Sequence, residues 1–172
     1  IEDNKDKALQ LVQNILNQFS TEYSDKWYKM MYKKIGIINP NEEDKLLTRE
    51  LIELMKFYKA DYTNTFAALT LNEPFEDSLF SSDEFKNWKK KWEKRIENNE
   101  NSYKIMRSNN PIYIPRNHLV ESAIENAANG NKKEFDELLI SMSNTYNYNV
   151  KHIKFQKTPK GFDESYKTFC GT

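Results

Sequence analysis

From Ala8 to Met31 the apolar residues Ala8, Leu11, Val12, Ile15, Phe19, Tyr23, Trp27, Met30 and Met31 return mostly at steps of three and four. That spacing lines them along one side of a helix and does not fit the alternation of a strand. Comparable runs recur through most of the chain, and only 4 glycines and 5 prolines interrupt 172 residues. Breakers are too few for a strand-and-turn architecture, so the sequence predicts helix packed on helix.

Punctuation divides the runs. The first helix ends near Lys34, with Gly36 as its stop signal. Asn39, Pro40 and Glu42 then have the form of a cap, a first-turn proline and a capping-box partner, opening a helix with Leu47, Leu51, Leu54, Met55 and Tyr58 inward. Asp61 is placed to cap a third helix carrying Tyr62, Phe66 and Leu69 on one face. Residues 71–80, with Pro74, read as a loop or a single turn. Ser81-Ser82-Asp83-Glu84 opens a helix with Phe85, Trp88, Trp92 and Ile96 inward, continuing through Tyr103 and Met106.

Pro111 and Pro115 hold the next segment extended, and Asn117 is placed to cap the helix that carries Val120, Ala123, Ile124, Ala127 and Ala128. Asn129-Gly130-Asn131 turns the chain into a helix with Phe135, Leu138, Leu139 and Met142 inward, so these two helices pack antiparallel. Beyond Ser143, Tyr146, Tyr148, His152, Phe155, Pro159, Phe162, Tyr166 and Phe169 fall at irregular intervals, which reads as a tail laid over the helices. The expectation is one all-α domain over 1–172, an irregular packing of about six or seven helices closed by an aromatic-rich C-terminal tail.

Lys plus Arg and Asp plus Glu both number 26, so no net field draws the chain to nucleic acid or an anionic membrane. The run Lys86-Asn87-Trp88-Lys89-Lys90-Lys91 is the solvated side of a helix. No stretch approaches the roughly 20 apolar residues of a spanning helix, and residues 1–7 lack a signal-peptide core. The reading is a soluble protein with neither a nucleic-acid nor a membrane partner. The chain enters a helical pattern almost at once without an initiator methionine, as expected of a piece of something longer. A lone cysteine, Cys170, rules out an intrachain disulfide framework.

Catalytic signatures are sparse. His118 and His152 lack metal-ligand spacing, Glu42-Glu43-Asp44 complements a helix N-terminus, and the glycines form no phosphate loop. Cys170 with His152 is the only imaginable nucleophile and base, and a structural lone cysteine is the commoner use. Arg116, held between a proline strap and a helix, can grip a carboxylate or phosphate through two bonds or lock the strap to a neighbouring helix; the second is the commoner arrangement. The stripe Phe85, Trp88, Trp92 is core first and a base-stacking platform only beside a basic groove.

The order Asn110-Pro111-Ile112-Tyr113-Ile114-Pro115-Arg116-Asn117 resembles the strongest short signature in the C-terminal part of the selenoprotein O (YdiU) family. A second likeness lies at Asp61-Tyr62-Thr63-Asn64-Thr65-Phe66, with Ala67 and Ala68 where that pattern tends to carry arginine. A third, in Phe169-Cys170-Gly171-Thr172, matches little beyond the cysteine. The resemblance implies a parent with a kinase-like (pseudokinase) fold that transfers AMP from ATP to protein hydroxyls, with Mg²⁺. Its glycine loop, its Lys and Glu pair and its metal-holding Asn and Asp pair are expected upstream and are absent from this chain. By that likeness 1–172 is the non-catalytic C-terminal portion: catalytic, cofactor and metal residues none, Cys170 a redox or regulatory candidate, and Asn110, Pro111, Tyr113, Arg116 and Asn117 signature or interface candidates. Its partners would be the missing N-terminal kinase-like portion and the parent's protein substrates, in the cytoplasm or, in a eukaryote, the mitochondrion. The alternative is a free-standing helical protein-interaction module whose likeness is fortuitous.

Overall fold

The computed structural model describes residues 5–97, 99–148, 153–157 and 159. In order these form α1 (Lys5–Lys34), α2 (Glu42–Phe57), α3 (Tyr62–Leu71), α4 (Ser78–Ser81), α5 (Asp83–Ile96), α6 (Glu100–Asn109), α7 (Asn117–Ala128), α8 (Lys133–Met142) and a 3-10 turn at Ile153–Phe155, with no strand among the described residues. The all-α expectation holds. The helix number rises to eight because α4 is a full turn and the expected continuation from Ile96 to Met106 is broken. Glu97 takes a left-handed φ of 52°, and Asn99 caps a fresh helix with its side-chain oxygen on Asn101 N.

Helix ends follow local chemistry, with two shifts from expectation. Gly36 ends α1 at φ 70°, where Gly36 N donates to Lys33 O and Ile37 N to Tyr32 O, the pairing that satisfies the last carbonyls of a helix. The cap of α2 is Asn41 rather than Asn39, and the reciprocal partner is Asp44 rather than Glu42. The displacement has a tertiary cause. Asp44 is buried and receives both Nε (2.8 Å) and Nη2 (2.9 Å) of Arg95 from α5, while its Oδ2 also accepts from Asn41 N. Asp61 caps α3 as expected, its Oδ1 accepting from Asn64 N at 2.8 Å. Arg116, not Asn117, occupies the cap position of α7, and no side chain caps it.

Two apolar clusters form the interior. The larger joins the C-terminal end of α1 to α2, α5 and α6 through Met31, Ile35, Leu51, Met55, Trp92 and Met106, among others. Trp88 and Trp92 lie one helical turn apart on α5, their rings 5.9 Å apart and 9° from parallel. Each buried indole N–H donates to a carbonyl of another element, Trp88 to Leu47 O at 2.8 Å and Trp92 to Ile35 O at 2.7 Å. The stripe is therefore core and presents no stacking surface.

The smaller cluster gathers Ala67, Ile112, Tyr113, Ala123, Leu138 and Phe155. Helix α3 lies between the two, with Phe66 and Leu69 in the first and Ala67 in the second. From Thr65 to Thr70 every residue of α3 is buried. Ala67 and Ala68 both lie within this packed stretch, at 0% and 2% exposure.

Helices α7 and α8 pair as a hairpin, with Ser122 and Asn126 both bonded to Glu134. Its expected inward face is only partly inward. Ala123 and Leu138 are buried, whereas Ile124 and Leu139 are 57% and 58% exposed and Phe135 is also exposed. The hairpin packs through one flank, and a 3.6-residue period cannot say how wide a stripe its neighbours cover. The same holds for α1, whose Leu9, Val12, Ile15, Leu16, Phe19 and Tyr23 are all more than half exposed.

Candidate functional site

Residues 110–116 cross between the clusters in extended form, and each expected signature residue has a definite place. Asn110 is fully buried. Its Nδ2 donates to Lys34 O (2.8 Å) at the end of α1 and to Thr70 Oγ1 (2.9 Å) on α3, and its carbonyl accepts from Tyr148 Oη at 2.7 Å. One side chain thus ties the strap to both α1 and α3, which an aspartate could not do because it lacks the N–H donors. Lys34 reaches back, donating to Asn109 O (3.1 Å) and Asn110 Oδ1 (3.4 Å), with its ammonium 5.2 Å from the Phe66 ring centre and 5.6 Å from that of Tyr62. Burial holds the Lys34 pKa below the ordinary lysine value.

Pro111 is half-buried, and Ile112 N donates to Thr145 O at 2.8 Å, drawing the segment after α8 onto the strap. Tyr113 is fully buried with its ring 5.7 Å from that of Phe155, and desolvation raises its phenol pKa. Arg116 closes the far end. Its Nη1 donates to Asp61 Oδ2 at 2.6 Å, its Nη2 to Asn64 Oδ1 at 3.2 Å and its Nε to Phe155 O at 3.3 Å. Asn64 in turn donates to Gln156 O at 3.0 Å, and Gln156 to Ile112 O at 3.4 Å. Of the two uses open to Arg116, the structure shows the internal lock. Asn117 is exposed as the first residue of α7.

The structure therefore brings the two signature-like stretches together through Arg116 and Asp61, and it adds Lys34, Asn64, Thr70 and Tyr148, which sequence spacing did not single out. Asn64 carried a signal, since it lies inside the Asp61–Phe66 stretch. Lys34 and Thr70 carried none, because a helix-end lysine and a helical threonine are common everywhere; Tyr148 was among the aromatics expected to lie over the helices, but nothing marked its hydroxyl for Asn110 O. Cys170 and His152 lie outside the described residues.

A model of the family described as protein adenylyltransferase SelO matches residues 7–143. The chain belongs to this family. It is 41% identical over 177 aligned residues to protein nucleotidyltransferase YdiU of Bacillus cereus (strain ATCC 10987 / NRS 248), and 40% identical to the proteins of that name from Bacillus thuringiensis subsp. konkukian (strain 97-27) and Bacillus anthracis. Each alignment takes in 100% of this chain and 36% of the relative, so the chain spans about a third of the length of these SelO relatives.

Among the described residues of this SelO region, no group of three or more His, Cys, Asp or Glu is gathered for a metal. The guanidinium of Arg116, whose fork would suit a phosphate, already faces Asp61 and Asn64. No described helix is long and apolar enough to cross a membrane.

Proposed function

We propose that this chain is the non-catalytic, helical C-terminal region of a SelO/YdiU-type protein adenylyltransferase, the whole protein transferring AMP from ATP to protein hydroxyls. ATP and Mg²⁺ belong in this reading to a preceding kinase-like portion, and the helices described above brace it. The observation that carries the reading is the use made of the signature residues. Asn110, Tyr113, Arg116 and Asp61 hold helices to one another, and all but Asp61 and Arg116 are fully buried. Side chains engaged in this way support a neighbour's shape rather than handle a substrate.

The exposed stripe on α1 supplies the surface for that neighbour. Leu9, Val12, Leu16, Phe19 and Tyr23 repeat at alternating steps of three and four, a seam suited to another helix or an apolar groove. The kinase-like portion is its occupant in this reading, protein substrates reach the parent there, and Cys170 is a candidate for pairing with a cysteine of that portion. The rival idea, a free-standing interaction module, required the likeness to be fortuitous, and the match over residues 7–143 removes that ground.

Calorimetry with Mg·ATP tests the assignment. The full-length protein is expected to bind and the isolated chain to give no heat of binding; tight binding by the isolated chain would overturn it. A second arm replaces Leu16 and Phe19, 56% and 65% exposed, by lysine. The pair should leave the melting temperature of the isolated chain within a few degrees and lower that of the full-length protein. Equal melting temperatures for variant and wild-type full-length protein would exclude α1 as the docking face.

A further inference from the structure

A second surface feature is independent of the strap and of the SelO assignment. Along α2, Glu50, Glu53, Leu54 and Phe57 fall at i, i+3, i+4 and i+7, and along α5, Glu84, Asn87, Trp88 and Lys91 repeat the same pattern. The two rows face each other across an open groove of about 460 Å³. Its apolar part is built by Leu54, Phe57 and the edge of Trp88, and Phe57, at 79% exposure, is the most exposed of the large apolar residues described. Apart from an edge contact with the Tyr58 ring at 5.0 Å, little of its surface is covered by this fold.

The rim is acidic in a chain with no net charge. Three carboxylates line the groove against one ammonium, and that ammonium is engaged: Lys91 Nζ lies 3.1 Å from both oxygens of Glu50. Glu84, which accepts from Tyr58 Oη at 3.0 Å, and Glu53 are both exposed, so an incoming group can reach either carboxylate. Seven residues of helix make a seam about 10 Å long, room for three or four residues of extended chain. A small anion is repelled, and a bare cation would find the carboxylates spread along a rim instead of converging.

We propose that the α2/α5 groove is a docking site for a short peptide segment of a partner protein, with one bulky apolar side chain beside Phe57 and Leu54 flanked by lysine or arginine over Glu53 and Glu84. The charge supplies the orientation and the encounter rate, and the apolar contact supplies most of the affinity.

The test is a selection of random peptides, displayed on phage, against the full-length protein, with counter-selection against a Glu53→Lys, Phe57→Ser variant. Both residues are exposed, so the variant should keep the wild-type circular dichroism and melting temperature. The expected result is enrichment of sequences pairing a large apolar residue with two basic ones. A labelled peptide of that sequence should lose about tenfold in affinity with Phe57→Ser alone and a similar factor with Glu53→Lys alone. The charge part should fade between low and high salt while the Phe57 part persists. Four outcomes overturn the proposal: no enrichment over the variant, enrichment without basic residues, affinity indifferent to both substitutions, or a Phe57-dependent dimer in sedimentation, which would make a second copy the occupant.

Discussion

Replacing Arg116 by alanine tests whether the contact between the two signature stretches is a lock. The bonds lost include Nη1 to Asp61 Oδ2 at 2.6 Å, Nη2 to Asn64 Oδ1 at 3.2 Å and Nε to Phe155 O at 3.3 Å. A charge-assisted bond contributes about 1.5–3 kcal/mol and each neutral acceptor about 1 kcal/mol. The side chain of Arg116 is 9% exposed, so its loss is felt nearly in full. Asp61 is 29% exposed and still accepts from Asn64 N, so its carboxylate is not stranded and the penalty stays below that of a fully buried pair. The sum is about 4 kcal/mol, which at a urea dependence of about 2 kcal/mol per molar lowers the unfolding midpoint by about 2 M. Lysine at position 116 should recover less than half, because a point charge cannot fork between Asp61 and Asn64. Asp61→Asn keeps a competent helix cap and removes only the charge, so the double-mutant cycle isolates the pair, with an expected coupling of about 1–2 kcal/mol. A loss under about 0.5 kcal/mol for Arg116→Ala, or strict additivity in the cycle, would refute the lock.

Three further measurements follow from the same geometry. Asn110→Asp should cost about 2–3 kcal/mol in urea unfolding, because Thr70 Oγ1 and Lys34 O lose a buried donor and gain a carboxylate neighbour. Gly36→Ala should cost clearly more than Gly130→Ala: both glycines have positive φ, 70° and 89°, but a Cβ on Gly36 meets Met106 Sδ at 2.8 Å and Ser102 O at 3.0 Å, and one on Gly130 meets nothing within 4 Å. About 1 kcal/mol is expected at Gly130 and two to three times that at Gly36, and equal losses in thermal melts would contradict the close packing of α1 on α6. Tyr148, pushed up to about 12 by burial from 10.0, keeps its proton in the folded state where the unfolded chain has lost it. The stabilisation is therefore complete below pH 10 and disappears as pH rises from 10 to about 12, a span worth about 2–3 kcal/mol. Tyr148→Phe should remove that part of the alkaline loss in pH-dependent unfolding, and an unchanged slope would refute it.

Helix class was legible because the three-and-four spacing is local, and α1, the inward face of α5 and the cap at Asp61 fall where spacing and side-chain chemistry put them, whereas the break after Ile96 was not marked by spacing. What sequence could not supply was partner identity over distance. Asn39 and Asn41 are equally good caps in isolation, and the choice between them depends on Asp44 being held by Arg95, 51 residues away. The strap was recognisable as rigid, and Arg116 as placed for two bonds, but only the fold shows Asp61, 55 residues off, as the carboxylate. Periodicity marked the apolar rows of α1 and α8 without saying what covers them, because amphipathicity is a property of a helix and burial is a property of an assembly.

The prolines of the strap make sense once the clusters on either side are considered. A segment running through the interior must satisfy its backbone donors, and here Asn110 N is met by Met106 O and Ile112 N by Thr145 O. Pro111, lying between them, has no donor to satisfy, and its fixed φ keeps Asn110 out of the helical region so that α6 ends at Asn109. With the chain extended, Asn110 turns its amide to α1 and α3 while Ile112 and Tyr113 enter the second cluster. A helical continuation of α6 would bring residues 110 and 113 onto one face and leave one of the clusters without its plug. Extended backbone is thus what lets seven residues fasten both halves of the interior, and it places Arg116 beside Asp61.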